Sequence, residues 1–154
     1  LSWYTVLRKR ENYREAFANF DPTRVARFTR KQIDELLQDT GLIRNRLKIE
    51  SAVNNARLYL KVQDEFGGFC NYIWSFVGGV PRVNGFRTIT NHPVTSSDSD
   101  RLSRDLKRRG FKFVGSTIVY AYMQATGLVN DHTLTCYRRQ GIIDAYVDEN
   151  LARS

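Results

Sequence analysis

The sequence predicts an all-α fold organised as a single helical domain, and three observations carry that expectation. Apolar residues recur at helical spacing along almost the whole chain. Strand-like alternation is absent, and the helical runs are bracketed by start and stop residues. At 154 residues and 42% hydrophobic content, the chain is long enough to bury one core.

The elements come in order. Trp3, Val6, Leu7, Tyr13 and Phe17 mark a first helix. Asp21-Pro22 supplies an N-cap followed by proline at the first helical position, opening a short helix through Val25 and Phe28. Thr29 with Gln32 forms a capping box that leads Ile33, Leu36 and Leu37 inward, and Gly41 closes that helix. The longest helix runs from about Asn45 to Phe66, with Ile49, Ala52, Val53, Ala56, Tyr59 and Leu60 on its inner side, until Gly67-Gly68 stops it. Phe69 to Phe76 is a short aromatic helix, and Arg82 to Ser97 is polar and irregular, an ordered surface loop. Ser99 is expected to cap the next helix, through Leu102 and Leu106, and Ile142 to Leu151 reads as either a last helix or a mobile tail.

Lys and Arg total 24 against 16 acidic residues, a net charge of +8, and the pI is about 9.8. The charges are spread through the apolar pattern, so the chain is not a disordered basic tail. A folded basic domain suits a polyanion, and nucleic acid fits better than a membrane surface; on charge alone, a basic enzyme without a nucleic-acid partner remains open. No run has the length of a membrane span. Two cysteines, Cys70 and Cys136, do not make a disulfide framework, so a reducing, cytoplasmic setting is expected. The chain opens on Leu1-Ser2-Trp3 without Met or a helix cap, from which a missing N-terminal segment is expected.

The stretch Arg108 to His132 is the most informative. A basic helix ends at Gly110, the turn Phe111-Lys112-Phe113-Val114-Gly115 succeeds it, and small or β-branched Ser116 and Thr117 open a second helix. This layout turns backbone N–H groups outward beside Lys107, Arg108, Arg109 and Lys112, a setting that suits phosphate and grips a DNA backbone without reading its sequence. It is the physics of a helix-hairpin-helix, although an ordinary helical corner with a glycine cap would read the same way. Gly41 to Ile49, with Arg44, Arg46 and Lys48 at a helix start, could face a second stretch of backbone or be a solvated helix end. His132 and Cys136, four apart, would share one face of a helical turn; alone they make no metal site, which wants four ligands. Cys70 reads as a core residue, and His92 has no evident partner. Trp3, Tyr4, Tyr72, Trp74, Phe76, Tyr120 and Tyr122 could stack on a base, but helically spaced aromatics mostly build core. No nucleophile elbow or phosphate-binding glycine loop is present.

With those residues in view, the chain resembles the 3-methyladenine-DNA glycosylase I family, within the helix-hairpin-helix DNA glycosylases. The likeness runs from Leu1 to about Tyr137. It includes Leu7-Arg8-Lys9-Arg10-Glu11-Asn12-Tyr13-Arg14, Phe20-Asp21-Pro22, Gly41-Leu42-Ile43-Arg44-Asn45-Arg46-Leu47-Lys48-Ile49 and Trp74-Ser75-Phe76-Val77. Its most specific parts are Lys107 to Thr117 and Gly127-Leu128-Val129-Asn130-Asp131-His132. The domain is therefore expected over residues 1–137, followed by a C-terminal tail at 138–154.

The resemblance implies a base-excision repair enzyme that flips 3-methyladenine out of double-stranded DNA and hydrolyses its N-glycosidic bond. A non-catalytic helix-hairpin-helix DNA-binding module is the competing expectation. The resemblance makes Trp3 the base-stacking residue and Leu1 a duplex wedge, and gives backbone-binding roles to Gly110, Lys112, Phe113, Gly115, Ser116 and Thr117. It also implies a structural zinc ion held by His132 and Cys136 together with a Cys and a His near the N-terminus, and this sequence has no candidates for that second pair. The family's base-recognising glutamate and tyrosine belong to the same segment and have no counterpart here. A monomer in the bacterial cytoplasm, associated with the nucleoid and not with membrane, is the expected setting.

Three departures from the wider superfamily matter. Thr117 stands where bifunctional relatives place a Schiff-base lysine, so strand cleavage is not expected. Asn130 occupies the position of the superfamily's catalytic aspartate, with Asp131 beside it. Phe113 replaces a hairpin glycine, which alters the close approach of a phosphate.

Overall fold

The computed structural model describes residues 2–151, with side-chain surroundings through Val147. Leu1, expected as a wedge, lies outside the described residues. The all-α expectation holds: α-helices dominate, and the only sheet among the described residues is one pair of two-residue strands. The chain forms two compact helical units. One holds the residues up to Tyr72 together with Leu106–Phe113; the other holds Ile73–Asp105 and the residues from Val114 onward.

In the first unit the expected opening helix is two helices, α1 (Trp3–Arg8) and α2 (Arg10–Ala16), broken at Lys9. The helix start does have a cap, contrary to expectation: the Ser2 hydroxyl accepts from the Thr5 N–H at 3.2 Å. Asp21 caps α3 (Pro22–Val25), accepting from the Thr23 N–H at 2.8 Å, and Thr29 with Gln32 forms the capping box of α4 (Arg30–Gln38). Asn45 caps the long α5 (Arg46–Phe66), which ends at left-handed Gly67. Helices α3 and α4 pack against α5, and Phe17, Val25, Ile33, Leu36, Leu42, Ile49 and Val53 form the core. Gly41 lies close to Asn12, whose amide donates to the Gly41 carbonyl at 3.2 Å, and a Cβ there would displace that side chain. α6 (Phe69–Ser75) begins in this unit, its Phe69 stacked on Tyr59 with ring centroids 4.5 Å apart. Cys70, expected in the core, is exposed on this short helix.

The second unit is built on α7 (Ser97–Arg108) as far as Asp105, α8 (Ser116–Ala125) and α9 (Tyr137–Leu151). Ser99 is not the cap of α7. Ser96 caps it, accepting from the Ser99 N–H at 3.1 Å, while the fully buried Ser99 hydroxyl accepts from the Ser96 N–H at 2.8 Å. The polar loop after α6 contributes β1 (Arg82–Val83), which pairs in parallel with β2 (Val129–Asn130), Arg82 opposite Val129. Such short strands leave no room for alternation, so the sequence pattern could not show them. Ile142 to Leu151 is helical as part of α9, which starts earlier, at Tyr137. Leu102, Val119, Met123, Leu128 and Val129 are buried here.

Candidate nucleic-acid interface

The hairpin is set by its backbone first. α7 ends in a Schellman turn: the Gly110 N–H donates to the Lys107 carbonyl at 2.9 Å and the Phe111 N–H to the Leu106 carbonyl at 3.0 Å. That turn needs a left-handed residue, and Gly110 supplies it with φ of 97°. Phe111 is buried, its ring centroid 6.5 Å from that of Phe69, which roots the turn in the first unit.

α5 then grips the turn from Gly110 to Lys112. The Asn54 amide donates to the Gly110 carbonyl at 3.1 Å. Asn55 makes a two-point contact with Lys112, donating to its carbonyl and accepting from its N–H, both at 2.9 Å. Phe113 comes next, in the left-handed region with φ of 58°, its ring 47% exposed. Gly115 is the N-cap of α8 and has no side chain with which to cap it.

The expectation of open amides from residue 110 to 117 is therefore narrowed. Those of Gly110, Phe111 and Lys112 are already bonded. The N–H groups of Phe113, Val114, Gly115, Ser116 and Thr117 donate to no described residue. The turn is a surface feature: Lys112, Phe113 and Thr117 are exposed. Ser116 faces the protein with its hydroxyl, 2.8 Å from Ser99 Oγ and 2.5 Å from Asp100 Oδ1, so only its amide points to a ligand role.

The flanking cations divide. Arg109 is drawn inward, paired with Glu65 at 2.6 and 3.1 Å and lying about 5.0 Å from the Phe66 ring centroid, so it is not the phosphate-facing cation expected of it. Lys107 and Lys112 are exposed. At the start of α5, Arg46 is held by Asp34 at 3.1 Å and Glu50 at 3.4 Å. Lys48 has no carboxylate partner among the described residues, and its ammonium stands 6.0 Å from the centroid of the Phe113 ring.

Trp3, at the start of α1, is 82% exposed and makes no ring contact with another described residue. Tyr120, a sequence candidate for stacking, is instead buried and bonded, and Tyr72 is buried too.

His132 and Cys136 come together, Nδ1 and Sγ 3.4 Å apart, although they sit on an irregular segment and not on a helical turn. They line a cleft of about 640 Å³ in the second unit, along with His92, Gln124, Asp131 and Ile142. The His92 ring packs tilted against Phe86, centroids 5.0 Å apart, and its buried Nε2 has no partner among the described residues. No cluster of three or more His, Cys, Asp or Glu side chains suited to a metal occurs among the described residues.

Asn130 and Asp131 are both bound into the structure. Asn130 donates to the Arg139 carbonyl at 3.2 Å and accepts from the His132 N–H at 3.2 Å. Asp131 is buried, and both carboxylate oxygens are occupied: Oδ1 by Asn84 at 2.6 Å, Oδ2 by the Tyr120 hydroxyl at 2.6 Å and Gln124 at 2.8 Å. Burial, and next the hydrogen bond to Asp131, push the Tyr120 phenol above its ordinary range, so it stays a donor.

The architecture is that of an all-helical protein presenting one surface turn, open-amide and lysine-flanked, fit for a polyanion backbone. Over residues 1–139 the chain matches the methyladenine glycosylase family, and it belongs to that family. It is 50% identical over 136 residues to Escherichia coli (strain K12) DNA-3-methyladenine glycosylase 1, covering 88% of this chain and 73% of that protein. Haemophilus influenzae DNA-3-methyladenine glycosylase is 48% identical over the same length, covering 88% and 74%. Among solved structures, one of 3-methyladenine DNA glycosylase I superposes with a TM-score of 0.82 at 47% identity, covering 89% of this chain and 75% of that one. The Staphylococcus aureus 3-methyladenine DNA glycosylase I superposes at 0.84 with 37% identity, covering 90% and 74%.

The geometry makes the polar contacts testable. Asn55→Ala removes both bonds to Lys112 and should lower stability by about 1–3 kcal/mol in chemical denaturation. Asn55→Asp should not restore it, because a carboxylate cannot donate to the Lys112 carbonyl; full recovery in that variant would contradict the two-point contact. Tyr120→Phe should cost about 1–3 kcal/mol at neutral pH by leaving a buried carboxylate short of a donor. A raised folded-state pKa gives stability that is present below the ordinary tyrosine value of about 10 and declines as pH climbs past it. The wild-type advantage should therefore narrow in alkaline denaturation, and a constant gap would count against the assignment.

Proposed function

We propose that this chain excises 3-methyladenine from alkylated double-stranded DNA, hydrolysing the N-glycosidic bond without cutting the strand. The observation that carries this reading is the exposed 110–117 turn in a chain of the methyladenine glycosylase family, with adjacent lysines and five amides unpaired among the described residues. The bacterial relatives at 48–50% identity are named as DNA-3-methyladenine glycosylases, which supports the substrate.

The chemistry asks little of a general base. Methylation at N3 leaves the adenine cationic and already a good leaving group, so a site that stacks the base and excludes water does most through binding and electrostatics. In this reading Trp3 offers its exposed ring face to the flipped base. The open amides from Phe113 to Thr117 hold a phosphate, and Lys112 adds a point charge beside them. Asp131 is not the base that replaces the carboxylate missing at Asn130, because donors fill both of its oxygens. Exposed Thr117 supplies no amine for a covalent imine, which makes the enzyme monofunctional.

A structural zinc ion would take His132 and Cys136 as two of its four donors, their closeness suiting adjacent corners of a tetrahedron. A monomer acting at the bacterial nucleoid is part of this reading. No helix among the described residues is long and apolar enough to cross a membrane.

The deciding experiment is release of free 3-methyladenine from methylated duplex. The expected outcome is base release without strand scission, and no protein–DNA adduct on borohydride treatment. Duplex binding with no base release would favour the non-catalytic module, and a trapped adduct would overturn the monofunctional assignment. Separately, Lys112→Ala should weaken binding to damaged and undamaged duplex alike and lower the salt slope by about one unit. A loss confined to one sequence would refute a backbone role.

A further inference from the structure

We infer that the DNA-backbone surface extends from the hairpin turn onto the first turns of α5, where Lys48 makes a second phosphate contact. The inference rests on the DNA-binding part of the proposed function, but not on catalysis.

Three observations within the first unit carry it. The two-point contact of Asn55 with Lys112 ties the turn to α5. Lys48 and Asn55 are seven residues apart on that helix, two turns, and so lie on one face of it. The turn held by Asn55 therefore has Lys48 beside it, with its ammonium 6.0 Å from the Phe113 ring centroid.

The charges near the start of α5 then sort themselves. Arg46 is neutralised by Asp34 and Glu50, which makes it part of a surface ion-pair network. Lys48 and Lys112 have no carboxylate partner among the described residues, and both are exposed. The contact belongs to the side chain alone, because the Lys48 N–H is occupied by the Asn45 cap at 3.1 Å. Phe113, half exposed between the two lysines, gives the ammonium an apolar and aromatic footing without quenching its charge. A duplex strand passing Lys112 and Phe113 would find one cation at the turn and another on the helix that holds it. Of the three cations at 44, 46 and 48, the structure removes Arg46 and places Lys48 beside Phe113, while Arg44 is exposed.

The test is a salt titration of duplex binding by the whole chain, read by fluorescence anisotropy with damaged and undamaged duplexes. Lys48→Ala should weaken both equally and lower the slope of log affinity against log salt by about one unit. Its deficit should therefore shrink about three- to fourfold between about 50 and about 200 mM salt. Lys48→Arg should keep the wild-type slope. So should Lys31→Ala, which removes an exposed lysine paired with Glu35 at 3.9 Å on α4. An unchanged slope in Lys48→Ala at an unchanged melting temperature overturns the inference, as does an equal drop in Lys31→Ala or a wild-type chain that does not bind duplex. If wild type binds with a Lys48-dependent slope but releases no base, the glycosylase reading fails and this surface stands.

Discussion

The hold that Asn55 has on the main chain of Lys112 is the constraint on which the rest of the interface depends. A turn between two helices has few internal bonds, and this one must keep a non-glycine residue, Phe113, in the left-handed region. Backbone of that kind persists only where its surroundings over-determine it. Here the Schellman turn fixes the chain up to Phe111, the buried Phe111 ring anchors it, and Asn55 fixes the next peptide by pairing with it as a neighbouring strand would. The amides after it, from Phe113 to Thr117, donate to no described residue.

The same division, between groups used up by the fold and groups left over, decides which polar residues can take part in chemistry. Asp131 looks in sequence like a carboxylate beside a vacant catalytic position. In the structure it is the centre of a buried network joining α8, through Tyr120 and Gln124, to Asn84 just after β1. Asn130 does similar work for the segment leading to α9. Both side chains are thus committed to holding their own unit together.

Much of the architecture is legible from residue order. The caps at Asp21 and Thr29, the stop at Gly67 and the hairpin glycine carry local chemistry that needs no tertiary context, and each acts where expected. The departures at Arg109 and Lys112 share a cause: the deciding partner is distant in sequence. Arg109 reads as a surface cation until Glu65 and the ring of Phe66 are seen to claim it. Lys112 reads as an open amide until Asn55 is found on it. The Asn54-Asn55 pair gives no sign of its role, because asparagines in a long amphipathic helix look like solvated polar positions. Ser99 departs from its expected capping role for a different reason, since Ser96 and Ser99 form a reciprocal pair that either could head.

The inward turn of Arg109 has a consequence for how such a surface would travel along its target. Guanidinium forks fix themselves on single phosphates through paired, directional bonds, whereas an ammonium on a flexible stem is a hydrated point charge that tolerates many positions. With Arg109 committed to Glu65, Lys107 and Lys112 are the exposed lysines flanking the turn. In the proposed reading, such lysines would hold a duplex through counterion release while leaving it unregistered. That suits a scanner hunting one rare modified base among a great excess of ordinary ones.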